Sequence, residues 1–215
     1  GLLVQHQANI TEAAQFNDAS TGLFFLRVRF DVSESASSAL RDGFETMAAG
    51  FEMRWQLHNA NARMPAVILV SKMGHCLNDL LFRYRSQLLP LDIRAIISNH
   101  RDFYQLAASY DIPFHHIPVT PDTKDRAEDR LREVLVQENV ELVVLARYMQ
   151  VLSERLCKEL SGRAINIHHS FLPSFKGARP YQQAFDRGVK LTGATAHYVT
   201  GDLDEGPIIE QDIAR

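Results

Sequence analysis

The sequence predicts an α/β protein in two parts: a small α+β unit over residues 1–60, then an open, mostly parallel, doubly wound sheet over residues 65–215. Two observations separate the parts. Before residue 60, apolar and polar residues alternate with the period of half-buried strands. After residue 65, short continuous apolar runs alternate with helical segments, as the buried strands of a parallel sheet require. With 215 residues, 46% of them apolar, the chain can bury a sizeable core.

The first part begins with residues 1–6, which are typical of the tail of a helix without a capping signal before it. Two strand-like runs follow, Asn9–Phe16 and Leu23–Phe30, and a turn-rich hexapeptide separates them, so they predict a hairpin. In the second run apolar and polar positions alternate, which predicts one apolar face against a core. The apolar positions are Phe24, Leu26, Val28 and Phe30.

A helix and a third strand complete this part. Ser37 and Ser38 are candidate helix starts, and Gly50 is the predicted end. From Phe51 to Leu57 every second residue is apolar, which favours a half-buried strand over a helix. The first sixty residues therefore predict the order helix, strand, strand, helix, strand.

The second part follows a polar linker over residues 59–65. Its predicted strands are Ala66–Val70, Ile93–Ser98, Phe114–Val119, Glu141–Leu145, Ala164–His168 and Thr195–Val199. Its predicted helices are Leu77–Leu88, Phe103–Ser109, Lys124–Glu138, Leu152–Leu160 and a short one at Tyr181–Arg187. Such alternation predicts ligands at the carboxyl ends of the strands.

Composition excludes several classes of protein. A net charge of −3 argues against a nucleic-acid partner, which requires a clustered basic surface. No stretch approaches the roughly 18 apolar residues of a membrane helix, and residues 1–15 lack a basic region followed by an apolar run, so we predict a cytoplasmic protein without a membrane partner. Two cysteines are too few for a disulfide framework.

The strand that ends at His168 carries the most informative chemistry. Side chains alternate along a strand, so Asn166 and His168 project to one face and His169 to the other. An amide can donate to a developing oxyanion, and a histidine can donate to it or move a proton. The pair therefore suits a carbonyl substrate, although a purely structural His168 at a strand end explains the pattern equally well.

The acidic loop after the last predicted strand holds Asp202, Asp204 and Glu205. Asp204 is the strongest candidate, because Leu203 and Gly206-Pro207 can pin its part of the loop against the sheet. Beside His168, it could fix the protonation of the imidazole and relay a proton. The other two acids are typical of a solvated turn.

Two other kinds of site find little support. A metal site is disfavoured because His168 and His169 are adjacent on a strand and no HExxH-like pair occurs, so we predict no metal and no cofactor. The loop from Ser71 to Asn78 leads into a helix N-terminus that could favour an anion, but it holds a single glycine where a phosphate loop usually needs more.

Three separated motifs give the chain a specific resemblance over residues 66–215. They are Asn166–Pro173, Gly177–Tyr181 and Leu203–Pro207, and in this order they resemble the folate-dependent formyltransferase family. The resemblance implies that Asn166, His168 and Asp204 are catalytic. It also implies that substrate is bound by Arg147, Tyr148, Met149, Gln150, Val151, Leu152, Gly177 and His197.

Residues 1–60 resemble an ACT domain, a βαββαβ module that binds amino acids, without its first strand. Members of the family that combine such a domain with a formyltransferase-like domain hydrolyse 10-formyltetrahydrofolate. The transferases for glycinamide ribonucleotide carry a glycine-rich loop where this chain has Lys72–His75, and tend to have Pro where it has His169. Both differences favour water as the acceptor, so the resemblance implies release of tetrahydrofolate and formate, which supplies purine synthesis and balances the one-carbon pool.

The resemblance carries further expectations and two alternatives. Both domains are expected to be incomplete, at the N-terminal end of residues 1–60 and at the C-terminal end of residues 65–215. A homo-oligomer and an amino-acid effector of the ACT-like domain are expected by analogy with ACT domains. The alternatives are a transferase to an amine such as glycinamide ribonucleotide, and a non-catalytic protein that senses folate and an amino acid.

Overall fold

A computed structural model describes residues 1–177 and 179–214 and divides the chain into two compact units. The first unit is Gly1–Ala60 and the second begins at Asn61. The division falls inside the polar segment 59–65, a composition typical of a domain boundary.

The first unit contains a β-hairpin and a long helix. Its elements are α1 (Leu2–Gln5), β1 (Asn9–Asp18), β2 (Leu23–Asp31) and α2 (Glu34–Gly50). The two strands are antiparallel, with Phe16 opposite Phe25, which confirms the predicted hairpin. Helix α2 begins earlier than predicted, after an extended Ser33.

Two predictions for this unit are wrong. The apolar alternation of β2 does not face a core along its whole length, since Phe24 and Leu26 are each 60% exposed and only Val28 and Phe30 are half-buried. An alternating pattern determines which side chains share a face, but it does not determine whether another element covers that face.

The predicted strand over residues 51–57 is also absent from the described part of the chain. The alternation is real, because Trp55 and Leu57 are half-buried and their neighbours are exposed, and Trp55 packs on Phe44 with ring centroids 4.9 Å apart. A strand also requires backbone partners on a neighbouring strand. Here the Leu57 carbonyl accepts instead from the side chain of Arg41 at 3.0 Å.

The second unit alternates strands and helices as predicted. Its strands are β3 (Met64–Val70), β4 (Leu91–Ser98), β5 (Phe114–His116), β6 (Leu142–Leu145), β7 (Ala164–His168), β8 (Thr192–Tyr198) and β9 (Ile208–Ala214). Its helices are α3 (His75–Arg85), α4 (Tyr104–Ala108), α5 (Lys124–Gln137, after a 3₁₀ turn at Pro121–Thr123), α6 (Glu154–Glu159) and α7 (Pro180–Asp186). Among the described helices, none is both long and apolar enough to cross a membrane.

The strands of this unit lie in the order β5-β4-β3-β6-β7-β8-β9 within the described residues. Pairs from β5 to β7 are parallel, whereas β7–β8 and β8–β9 are antiparallel. This order confirms the mostly parallel, doubly wound sheet. Strand β9 was not predicted, and Ile208, Ile209 and Ile213 on it are exposed.

Alternate residues of β3 project into two different cores. Val67 and Leu69 pack with α5 and α6, and Ile68 and Val70 pack with α3 and α4. All four are fully buried, at about 1.5–3 kcal/mol per side chain. The sheet is therefore held rigidly from both faces, which fixes the loops at its carboxyl edge.

Candidate active site

Strands β7 and β8 bring the predicted catalytic amide next to a histidine. Asn166 pairs directly across from His197 in the antiparallel ladder, and its Nδ2 lies 3.1 Å from Nε2 of His197. The other ring nitrogen of His197, Nδ1, lies 2.9 Å from the Tyr198 carbonyl, which can only accept. In the tautomer that donates from Nδ1, Nε2 of His197 accepts from the Asn166 amide, which orients the amide and leaves its second N–H for a ligand.

His168 and Asp204 form a buried pair. Nδ1 of His168 lies 3.3 Å from Oδ2 of Asp204, and both side chains are 6% exposed. On the other side of the ring, Nε2 lies 3.1 Å from the Phe175 carbonyl. Both partners are acceptors, a geometry that favours the doubly protonated imidazolium form of His168.

The electrostatics of the pair agree with its hydrogen bonds. Burial opposes the charge on His168, but the hydrogen bonds to Asp204 and to the Phe175 carbonyl outweigh it and raise the pKa of the imidazole. Burial likewise acts to raise the pKa of Asp204, yet the hydrogen bond and charge of His168 lower it overall. Each group thus stabilises the charged form of the other.

Asp204 reaches His168 because its loop is tied at several points. Its backbone has φ 56°, a left-handed conformation that Asp tolerates better than most residues. The Gly177 N–H donates to Oδ2 of Asp204 at 3.2 Å, and Lys176 pairs with Glu205 at 2.8 Å. At Gly206 a Cβ atom would lie 1.7 Å from the Tyr198 carbonyl oxygen, so only glycine allows this approach. Ala178, which belongs to the motif Gly177–Tyr181, lies outside the described residues.

The four side chains form one chain of contacts, of which Asn166, His197 and Asp204 line a cavity and His168 contacts Asp204. His197 links the two halves, since its Nε2 also lies 3.7 Å from Oδ1 of Asp204. The cavity has an empty volume of about 470 Å³. Its walls come from the end of β6 and the segment after it, from α6, β7 and β8, and from the acidic loop: Leu145, Tyr148, Gln150, Val151, Leu152, Cys157, Asn166, His197 and 199–204.

Three predicted substrate-binding residues are not on this wall. Arg147 contacts His169, Met149 is exposed and uses its N–H to bind Ser71, and Gly177 holds Asp204. The remaining predicted residues, Tyr148, Gln150, Val151, Leu152 and His197, do line the cavity. Burial, followed by the charge of Glu128, raises the pKa of Tyr148 to about 12, so its hydroxyl stays neutral.

The segment after β6 is anchored at both ends by residues that the sequence analysis missed. At its start, Ser71 donates its N–H to the Arg147 carbonyl and accepts from the Met149 N–H at its hydroxyl. At its end, the buried Glu128 accepts from the N–H and hydroxyl of Ser153, which also caps α6. Glu128 occupies the same apolar stripe of α5 as Leu131 and Leu135, so an acid at that spacing was an available signal.

The arrangement offers little to a metal ion. Within residues 1–177 and 179–214, no group of three or more His, Cys, Asp or Glu side chains is placed to hold one. Both nitrogens of His168 are engaged with oxygen acceptors, and Nδ1 of His169 faces Arg147. The polar groups that converge on the cavity are hydrogen-bond donors and a carboxylate, which suit a neutral carbonyl group.

A family model described as formyl transferase matches residues 64–215. The chain belongs to the formyl transferase family. The matched residues span the whole seven-stranded sheet of the described second unit and every residue of the contact chain. Membership therefore concerns the part of the molecule that carries the candidate site.

Relatives within the formyl transferase family extend the similarity to the first unit. A formyltetrahydrofolate deformylase of Corynebacterium sp. (strain P-1) is 55% identical over 215 residues, which are 99% of this chain and 75% of that protein. The protein of the same name from Escherichia coli (strain K12) is 40% identical over 212 residues, 99% of this chain and 75% of that one.

Among solved structures too, the similarity to a deformylase extends over the whole chain, and the similarity to a transferase extends over only part of it. A formyltetrahydrofolate deformylase from Burkholderia mallei has a TM-score of 0.93 at 52% identity, and the match covers 100% of this chain and 76% of that chain. A phosphoribosylglycinamide formyltransferase from Anaplasma phagocytophilum has a TM-score of 0.64 at 35% identity and covers 71% of this chain and 72% of that chain. The chain thus resembles the deformylases over both units.

We predict that Asp204→Asn lowers the pKa of the His168 imidazole. The substitution removes the negative acceptor while keeping a residue that tolerates the left-handed backbone. In the wild-type protein the NMR titration of His168 should have its midpoint above the ordinary value of about 6.5. In the variant the midpoint should move down, whereas Asp212→Asn on β9 should leave it in place. A midpoint that does not respond to Asp204→Asn contradicts the assigned pair.

Proposed function

We propose that this chain hydrolyses 10-formyltetrahydrofolate to tetrahydrofolate and formate. The observation that carries the proposal is the contact chain Asn166–His197–Asp204–His168, of which all but His168 line a cavity of about 470 Å³. Donors and a proton relay meet there, as an attack on a formyl carbon requires. The relatives named formyltetrahydrofolate deformylase, 40–55% identical over nearly the whole chain, supply the substrate.

The donors act on the formyl oxygen. Water adds to the formyl carbon, and the negative charge that develops on the oxygen is stabilised by the second N–H of Asn166 and by the imidazolium of His168. The His168 proton concerned is the one on Nε2, which the Phe175 carbonyl accepts in this structure. A positioned oxyanion donor contributes about 10²- to 10³-fold in rate.

The His168–Asp204 pair moves the protons. When the carbon–nitrogen bond breaks, its electron pair stays on N10, which takes up a proton and leaves as the neutral amine. Of the two protons of the attacking water, one passes through this relay to N10 and the other is released to solvent, so formate departs as the anion. Acid–base help of this kind contributes about 10²- to 10⁴-fold.

The relay needs no metal in this proposal. Both nitrogens of His168 are committed to oxygen acceptors, so the imidazole has no lone pair to offer an ion. The products suit the expected role of formate in purine synthesis and in balancing the one-carbon pool, which we place in the cytoplasm as part of the proposal. That location is compatible with the two free cysteines.

The first unit offers a surface for a second copy of the chain. Phe16, Phe24, Phe25 and Leu26 on the hairpin are each more than half exposed. Isolated two-stranded sheets are marginally stable in water, and apolar patches of this kind mark interaction surfaces. We therefore propose a homo-oligomer that pairs through the hairpin; an amino-acid effector of this unit stays a prediction.

We predict that His168→Ala and Asp204→Asn each lower kcat by about 10²- to 10⁴-fold while changing folate binding little. Both groups act on charge that appears only in the transition state. Steady-state kinetics and folate titration measure the two effects, with His116→Ala and Asp212→Asn as matched controls away from the cavity. A wild-type kcat in either variant removes that residue from the mechanism.

The reaction class is decided by an assay without an amine. The protein, given 10-formyltetrahydrofolate in buffer that contains EDTA, should release formate and tetrahydrofolate in equal amounts over many turnovers. Formate that stays at the uncatalysed level until glycinamide ribonucleotide is added shows a transferase instead. Activity that EDTA abolishes and zinc restores contradicts the metal-free relay.

We expect Phe24→Glu, combined with Phe25→Glu, to shift the protein to monomers. Charged groups on the hairpin cannot be buried against a second copy without a large desolvation cost. Light scattering over a range of concentrations measures the change, and Val136→Glu, at another exposed apolar residue, is the control. A wild-type protein that is monomeric at every concentration rules the hairpin interface out.

A further inference from the structure

Arg147 occupies a backbone position that is unfavourable for its residue type. It follows β6 closely and has φ 63°, in the left-handed region that glycine adopts freely and other residues adopt only at an energetic cost. Backbone strain of this kind is retained where the side chain serves a function, and strained residues cluster at functional sites. The contacts of the Arg147 side chain show what that use is.

The Arg147 side chain lies beside the imidazoles instead of extending into solvent. Its Nη1 donates to Nδ1 of His169, and its Nε is buried without a hydrogen-bond partner among the described residues. His169 packs edge-on against Tyr181 at 5.1 Å and lies 5.5 Å from the ring of His168. Arg147, His169 and Tyr181 therefore form a cluster beside the ring of His168, and none of the three lines the cavity wall.

This cluster is positively charged. Burial, together with the charge of Arg147, lowers the pKa of His169 to about 4, so His169 is neutral at neutral pH and Arg147 carries the charge. Among the described residues, no carboxylate pairs with the guanidinium of Arg147. The positive charge of Arg147 also acts to lower the pKa values of His168 and Cys76. A protonated amine would be repelled here, whereas water would not.

The cluster lies at the place where a doubly wound sheet ordinarily binds a ligand. Strand β3 has β4 on one side and β6 on the other, so the crevice at their carboxyl ends is the switch point of the topology. Ser71 bridges the loops after β4 and β6 at this crevice. Its hydroxyl donates to Asn99 after β4 at 2.7 Å and accepts from Met149 after β6 at 2.9 Å. The Arg147 side chain extends from this crevice to His169, which directly follows the end of β7.

We infer that Arg147 and His169 select water over amines as the acceptor of the formyl group; the inference rests on the hydrolysis proposed above. In this inference the formyl donor fills the cavity and the second substrate approaches the formyl carbon past this cluster, none of whose three residues lines the cavity wall. Water addition breaks the bond to N10 and gives formate. Attack by an amine would break the same bond, form a carbon–nitrogen bond to the formyl group and pass one proton of the amine to N10, giving an N-formyl amide.

The test measures how the formyl group is divided between water and glycinamide, a small primary amine. Arg147→Gly removes the side chain and suits the left-handed backbone, so it relieves strain instead of adding it. His169→Ala opens the same cluster from the other side, and Arg94→Ala, at an exposed arginine on β4, is the matched control. Formate and N-formylglycinamide are quantified by mass spectrometry at a pH where part of the amine is neutral.

We expect N-formylglycinamide from the wild type and Arg94→Ala at the uncatalysed rate only, and a ratio of amide to formate at least tenfold higher in Arg147→Gly and His169→Ala. Variants that release formate without any gain in amide overturn the inference while the proposed hydrolysis stands. Folded variants that lose formate release altogether also overturn it, because the cluster would then serve the reaction itself. A wild type that forms product only with the amine shows instead that the proposed hydrolysis is wrong.

Discussion

The buried ion pair of His168 and Asp204 is the constraint on which the rest of the site depends. Two charges with 6% of each side chain exposed are stable only because each neutralises the other and because main-chain groups of Phe175 and Gly177 complete their hydrogen bonds. Its linkage to pH follows from the directions of the two pKa shifts. The Asp204 pKa is lowered, so its contribution to stability is present above the ordinary Asp value of about 3.9 and is lost as pH falls through the lowered pKa. The His168 pKa is raised, so its contribution is present below about 6.5 and is lost as pH rises through the raised pKa.

Much of the structure surrounding the pair serves to hold its members in place. The sheet, packed from both faces, fixes the ends of β7 and β8 and thereby Asn166, His168 and His197. Asp204 comes from a loop, and its position depends on the close approach of Gly206 to the Tyr198 carbonyl. The site therefore combines a rigid strand edge with a loop in which Gly206 leaves no room for a larger side chain.

The sequence predicts the second unit better than the first for a physical reason. Continuous apolar runs such as 66–70 specify burial on both faces, which few structures other than a central parallel strand provide. The alternation at 51–57 specifies only a shared face, and among the described residues no neighbouring strand pairs with this segment, whose Leu57 carbonyl bonds to Arg41. Strand β9 escaped prediction because its isoleucines are exposed and follow no clear period.

The predictions for the site divide in the same way. Side-chain patterns predict which residues belong to it, whereas they do not reveal all the contacts that those residues make. Strand alternation brings Asn166 and His168 to one edge, and the motifs point to Asp204, whose contact with His168 the structure supplies. The Phe175 carbonyl could not be predicted, because a main-chain acceptor leaves no trace in residue types. Glu128 left a trace, an acid on an apolar helical stripe, although its partner Ser153 is 25 residues away along the chain.

The anchoring of the segment after β6 has a consequence for how a ligand binds. Ser71 and Glu128 hold the two ends of this segment through contacts within the protein itself. A wall that is already ordered loses little conformational entropy on binding, so more of the contact energy appears as affinity. Association then needs no slow rearrangement of that wall, and differences in affinity between related folates should reside chiefly in how long each one stays bound.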